Sequence, residues 1–314
     1  MTDRVPRSFS GPVRHQLFGR SREHALLREV LARMLAGDGH LVLVGGEAGI
    51  GKSALLRLLA HEAAQQGVVV LTGLCYDVTT PHPYGPWVEL ARRAGPAGSL
   101  APFPAFLHDI DAVATLGSQE RLFREVTACF TTVAAQQPLV LLLEDLHWAD
   151  QGSLDLLRYV GRDVVGQRLL LVASYRDDEL TRRHPLFQLL PTLIRESEAT
   201  RLVLARLDAD AMRALVRARY ALTEPDEHRL HRYIQGLTEG NPFFIHEVLH
   251  ALEDNGALAR VDDSWQLGDL SRIYLPTLVR EVIERRLAGI DDDARRYLEM
   301  AAVIGQDVPL DLFM

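Results

Sequence analysis

Residues 41 to 60 read LVLVGGEAGIGKSALLRLLA, and this stretch restricts the fold more than any other. An apolar run enters a glycine-rich turn, and a segment with the apolar spacing of a helix leaves it. The turn, Gly46, Glu47, Ala48, Gly49, Ile50, Gly51, Lys52 and Ser53, fits G-x-x-x-x-G-K-[ST]. Glycines let the backbone close around a phosphate, and the helix start offers unpaired N–H groups and a favourable dipole. Lys52 is the only lysine of the chain; all the rest of its 34 Lys and Arg residues are arginines. Inside a wrapped loop a compact ammonium can touch the β- and γ-phosphates where the broad guanidinium fork is too wide. Ser53 is placed to ligate Mg²⁺ through its hydroxyl, and Ala54 continues the phosphate-binding helix start. The strand before and the helix after make a chance glycine-rich turn a poor alternative.

A strand feeding such a loop belongs to a parallel sheet, and the flanking sequence supplies the rest of one. Nearly continuous apolar runs at 41–46, 68–74, 138–146, 168–175 and 200–207 read as buried strands covered on both faces. Helical segments at 51–66, 84–94, 118–136, 152–165 and 185–197 lie between them. The expected fold is α/β, a P-loop NTPase with a parallel five-stranded sheet and helices on both faces, over residues 17–207. The Pro/Gly-rich piece 95–106 reads as a surface connection or broken helix, and residues 1–16 as a mobile tail. After 207 the strands almost stop. Residues 208–290 read as a small helical lid domain with one short hairpin at 257–268, turning at Asp262-Asp263. Two further helices are expected at 276–290 and 291–304, and an apolar last helix without a visible partner suggests a piece of a longer polypeptide.

Net charge constrains the partners. A formal charge of -8 argues against a nucleic-acid-binding surface covering the chain, because phosphate contacts need clustered cations. Cys75 and Cys129 are far apart, with no Cys-x-x-Cys spacing to support a disulfide framework or zinc site. No apolar run reaches the roughly 18 residues of a membrane span, and the N-terminus has no apolar signal core. A cytoplasmic setting without membrane contact is expected.

A phosphate loop needs a second acid to hold the metal and orient water. The third strand closes on Glu144-Asp145 within LLLEDLHWAD. Glu144 is assigned to the metal and Asp145 to the attacking water, with capping of the next turn by one of them as the alternative. Asp150 suits a cap for the helix near 152, while His147 and Trp148 suit packing beneath the site. Arg176, in VASYRDDE at the end of the fourth strand, is the candidate γ-phosphate sensor; the alternative is a surface arginine paired with Asp177 or Asp178. Tyr84 and Trp87, in the Pro- and aromatic-rich TTPHPYGPWVEL, read as core residues in preference to a partner-binding loop.

With these sites placed, the sequence resembles the STAND branch of the AAA+ P-loop ATPases, and most closely the nucleotide-binding module of large LuxR-type bacterial transcriptional regulators. The likeness runs from Leu17 onward. LFGRSREHALL is similar to the family's opening motif, which implies that Phe18, Gly19 and Arg20 border adenine and ribose; Ser21 stands where the family usually has Glu. LLLEDLHWAD is similar to the Walker B segment of these regulators, in Glu-Asp rather than Asp-Glu order. Gly240-Asn241-Pro242 resembles the Gly-x-Pro motif of the lid, which implies that Pro242 packs on adenine; an ordinary helix start with Asn as cap is the competing reading. The segment from LPTLVREVIERRL looks like the approach to a winged-helix domain, beginning at about 291–314.

The resemblance implies an ATP/ADP-binding signalling switch with Mg²⁺ and slow hydrolysis. Its implied partners are nucleotide, the protein's own C-terminal sensor and helix-turn-helix regions, and a nucleotide-dependent homo-oligomer, with no direct DNA binding by these residues. Two other classes compete. One is an AAA+ motor or DNA-loading ring, for which Arg182 or Arg183 would have to act as an arginine finger. The other is an interaction module in which nucleotide is only structural. The same module also resembles those attached to cyclases and protein kinases.

Overall fold

Strands β1 (His40–Gly45), β2 (Val69–Leu74), β3 (Leu139–Glu144), β4 (Leu169–Ser174) and β5 (Thr200–Val203) form one sheet in the computed structural model, in the order β2-β3-β4-β1-β5. Every pairing in it is parallel. The structure describes residues 17–77, 83–93, 119–262, 264–270 and Arg296. The expected tail, the 95–106 connection, Asp263, the helices at 276–290 and 291–304 (Arg296 apart) and the start of the winged-helix domain lie outside the described residues.

The helices are α1 (Ser21–Leu35), α2 (Lys52–Gln65), α3 (Gly85–Arg93), α4 (Gln119–Gln136), α5 (Gln151–Arg162), α6 (Pro185–Glu196), α7 (Ala209–Arg219), α8 (Glu224–Thr238) and α9 (Pro242–Asp254). The chain divides into two compact units between Ala211 and Met212.

Within the first unit the continuous apolar runs resolve into two faces, because successive strand side chains point in opposite directions. Leu41, Leu43, Leu139, Leu141, Leu169 and Leu171 share a buried cluster with Trp87 of α3, Phe130 of α4 and Leu157 of α5. Val42, Val44, Val140, Leu142, Leu170 and Val172 pack on the other side against Leu27 and Leu31 of α1 and Leu55 and Leu59 of α2. β1, β3 and β4 are buried at every residue.

The expectation that all five strands are covered on both faces is corrected at the edges. β2 is half-buried at Val69, Val70, Thr72 and Leu74, and in β5 Arg201 and Val203 are exposed, Val203 at 48%. β5 also ends at Val203, short of the expected 207. Its partner β1 ends opposite at Gly45, and the Leu204 N–H makes the last bond to the Gly45 carbonyl. α1 is absent from the helical segments read off the sequence. It contributes Leu27, Val30, Leu31 and Met34 to the core.

The second unit holds α8, α9 and a hairpin of β6 (Leu258–Val261) and β7 (Ser264–Leu267), paired antiparallel with Val261 opposite Ser264. Asp262, next after β6, has φ +46°. α9 begins as a capped helix: Asn241 Oδ1 accepts from the Phe243 N–H at 3.1 Å and Pro242 occupies the first turn. Among the described residues no helix is long and apolar enough to cross a membrane.

Candidate nucleotide-binding site

β1 brings the chain to Gly45, and the next residues fold back above the strand ends. Gly46, Gly49 and Gly51 have φ of +147°, +74° and +104°, a region that side chains rarely tolerate. A β-carbon at Gly46 would also meet the Leu204 carbonyl oxygen at 3.0 Å. α2 starts at Lys52 with Gly51 as its cap, a residue with no side chain to bond the first turn. Its first N–H groups and its dipole are therefore directed at the loop, the arrangement that binds anions.

Lys52 is buried, and its Nζ donates to the Gly46 carbonyl at 2.7 Å and the Glu47 carbonyl at 2.9 Å. Burial draws its pKa below the ordinary lysine range. Asp145 opposes that shift, Arg176 adds to it, and Asp178 and Asp177 oppose it. The ammonium thus sits in a loop of backbone oxygens and positive-φ glycines with acids around it, and it has no carboxylate of its own. These features fit a polyphosphate. Glu47 and Ala48 are half-buried, Gly49 exposed and Ile50 buried; Ser53 and Ala54 are half-buried in the first turn of α2.

Three contacts brace the loop from below and from the sides. The buried Arg20 donates from Nη2 to the Ile50 carbonyl at 3.0 Å and from Nη1 to Glu23. Arg206, just past β5, pairs with Glu47 at 3.1 Å. Tyr175 lies beneath Gly45 so closely that a β-carbon there would stand 2.7 Å from its hydroxyl oxygen, and Arg201 Nε donates to that hydroxyl at 2.8 Å. Arg20 therefore touches the phosphate loop itself. Its neighbours Phe18 and Gly19 form the turn ahead of α1, with Gly19 at φ +64°.

Glu144 and Asp145 diverge at the end of β3. Glu144 is buried, and its carbonyl accepts from the Cys75 N–H. Asp145 takes the left-handed conformation at φ 60°, ψ 44°, and its N–H donates to Ser174 Oγ at 3.2 Å. Its carboxylate keeps 27% exposure. Burial raises its pKa, and the nearby Arg176 and Lys52 charges pull against that rise.

Arg176 follows β4 and lies with its guanidinium carbon 4.7 Å over the Trp148 ring. It is paired with Glu179 at 2.6 Å, and not with Asp177 or Asp178. His147 is buried beside it, and burial followed by the charges of Arg176, Lys52 and His184 pushes its pKa down to about 3. It is neutral across the physiological range. Asp150 caps α5 through the Ser153 N–H at 3.0 Å, and its other oxygen accepts from the Tyr84 N–H.

The structure thus brings Lys52, Asp145 and Arg176 together at the carboxyl ends of β1, β3 and β4, where open α/β sheets bind ligands. Pro242 belongs to the second unit and is half-buried at the start of α9. Sequence reasoning missed Ser174, Tyr175, Glu179, Arg201 and Arg206. Only Tyr175 left a signal, as an aromatic ring closing an apolar strand. Among the described residues no three His, Cys, Asp or Glu side chains are grouped to hold a metal.

Comparison with known proteins agrees with this fold. Residues 208–265 match a domain family of unknown function. An uncharacterised protein of Rhizobium meliloti (strain 1021) is 26% identical over 335 residues, covering 94% of this chain and 30% of its own length. The chain therefore spans less than a third of that relative. The Walker-type ATPase of Pyrococcus abyssi shares the fold, at 16% identity over 94% of this chain and 87% of its own, with a TM-score of 0.51. Cdc6p of Pyrobaculum aerophilum does so at 16% identity over 77% of this chain and 64% of its own, with a TM-score of 0.50. With its glycine loop between β1 and α2, its β2-β3-β4-β1-β5 sheet and a match of residues 16–172 to the AAA ATPase domain, the chain belongs to that family.

Proposed function

We propose that this chain is a nucleotide-dependent switch, a slow Mg²⁺-dependent ATPase serving as the nucleotide-binding module of a large LuxR-type transcriptional regulator. The observation that carries the reading is the convergence of Lys52, Asp145 and Arg176 around a glycine loop shaped for phosphate. Residues Gly46 to Ala54 hold the phosphates, with Lys52 turning from its two carbonyls to the β- and γ-oxygens. Phe18, Gly19 and Arg20 border the adenine and ribose, and Pro242 lets the helical domain register the nucleotide. Ser53 and Glu144 hold Mg²⁺, which when bound neutralises phosphate charge.

Asp145 is the more accessible of the two acids, and its raised pKa favours acceptance of a proton from water. Arg176 senses the γ-phosphate. Turning a 1:99 equilibrium into 99:1 takes roughly 5.5 kcal/mol of differential affinity. Charge-assisted hydrogen bonds of about 1.5–3 kcal/mol each supply that from one phosphate. The regulator context is supported by the LLLEDLHWAD likeness and by a relative much longer than this chain. Its sensor and helix-turn-helix regions and a nucleotide-dependent homo-oligomer are the proposed partners.

The test is to denature freshly purified protein and count the released nucleotide by chromatography. Near-stoichiometric ADP is the expected result, and an empty site with rapid ATP turnover would sink the switch. The acid roles separate in two variants. Asp145→Asn is expected to keep ATP affinity and lose roughly 10²–10⁴-fold in turnover. Glu144→Gln is expected to raise the Mg²⁺ concentration needed for binding; the opposite pattern would exchange the assignments.

A further inference from the structure

Arg176 already has a carboxylate partner. Its Nη1 donates to Glu179 Oε1 at 2.6 Å. The other oxygen of that carboxylate, Oε2, lies 3.6 Å from His147 Nε2, a buried nitrogen with no hydrogen-bond partner. The other ring nitrogen, Nδ1, accepts from the Arg176 backbone N–H at 3.4 Å, which places the imidazole proton on Nε2. Buried donors without acceptors are few in native proteins, and each carries a desolvation cost. This one stands a few tenths of an ångström beyond the reach of a carboxylate that is engaged elsewhere.

We propose that Glu179 is a positioning residue that competes with the nucleotide's terminal phosphate for Arg176, and that His147 Nε2–H receives the carboxylate once Arg176 has turned to the phosphate. The proposal rests on the reading of Arg176 as the γ-phosphate sensor. With a triphosphate bound, the Arg176–Glu179 pair is exchanged for an Arg176–phosphate pair and a His147–Glu179 hydrogen bond. Satisfying the buried donor offsets part of the cost of separating the ion pair. A diphosphate has no terminal phosphate to offer and leaves Glu179 on Arg176.

The exchange also has a route out of the site. The cap residue of α6, His184, is bonded through Nε2 to the His147 carbonyl at 2.9 Å, and the segment between Arg176 and α6 carries Glu179. Moving that carboxylate alters the segment that leads into α6. Nucleotide state is thereby expressed on a helix that contributes no ligand.

The test compares dissociation constants for ADP and for a non-hydrolysable ATP analogue in the wild type, Glu179→Ala, Arg176→Ala and the double variant. Glu179 is exposed, so its truncation leaves the core untouched. Glu179→Ala is expected to bind the analogue about two- to fivefold more tightly with ADP unchanged, the scale of a partly exposed ion pair, and the gain should vanish in the Arg176→Ala background. Unchanged or weaker analogue binding in Glu179→Ala, with Arg176→Ala still losing the preference for analogue over ADP, overturns the competition and spares the sensor. A full preference retained by Arg176→Ala overturns the sensor and the competition with it. A second readout is the His147 Nε2–H proton resonance, expected to shift downfield and exchange slowly in the analogue complex but not with ADP. Identical signals in the two complexes would overturn the exchange.

Discussion

Lys52→Ala is expected to reduce ATP and ADP affinity by at least about 100-fold, with the fold retained. The ammonium donates to two carbonyls of its own loop, and in the proposed complex the same donors move to phosphate oxygens. Losing two charge-assisted hydrogen bonds of about 1.5–3 kcal/mol each corresponds to roughly 10²- to 10⁴-fold in dissociation constant. Lys52→Arg is the sharper variant, because it keeps the charge and changes only its shape. The interior of the loop has room for a point donor, so Lys52→Arg is also expected to bind poorly. Titration calorimetry with both nucleotides decides the matter, and wild-type affinity in Lys52→Ala would remove the site from this loop.

Trp87→Ala is expected to destabilise the first unit by about 3–5 kcal/mol, read by chemical denaturation. The ring is fully buried, lies 6.0 Å from the Phe130 ring, and donates from Nε1 to the Ser153 carbonyl at 3.1 Å. Ser153 is the residue whose N–H Asp150 caps, and Asp150 also accepts from the Tyr84 N–H. One indole thus ties α3 to the start of α5, a few residues beyond Glu144 and Asp145. Trp87→Phe keeps most of the packing and is expected to lose less. A cost below about 1 kcal/mol for Trp87→Ala would mean that α3 is not held by the core.

Much of this arrangement was legible in the sequence because it is local. The phosphate loop is one contiguous motif, and the three central strands announce themselves as apolar runs since both their faces are buried. The edges misled for the same reason. Thr200 to Leu207 has the composition of a buried strand, yet only its first four residues pair in register with β1, and Leu204 adds one last bond. α1 went unread because its start lacks a side-chain cap and it precedes the strand–helix alternation used to place the others. The braces of the site are contacts across long stretches of chain. Arg20 with Ile50, Asp145 with Ser174, and Arg206 with Glu47 are joined by 30, 29 and 159 residues of separation. Spacing rules reach a turn or a strand repeat and say nothing of such pairs. Arg176 drew attention by its place at a strand end, whereas its partner Glu179 is the last of three consecutive acids and nothing in the sequence singles it out.

The floor beneath the phosphate loop has a consequence for how this chain can vary. Gly45, Tyr175 and Arg201 belong to three adjacent parallel strands or their ends, and each occupies space that the next defines. A methyl group at position 45 needs a smaller ring at 175, and a smaller ring at 175 leaves the guanidinium of 201 without its hydroxyl. Changes at the three positions are therefore expected to be coupled. Mutational libraries that sample them one at a time will report an intolerant site, and libraries that sample them together will find alternatives.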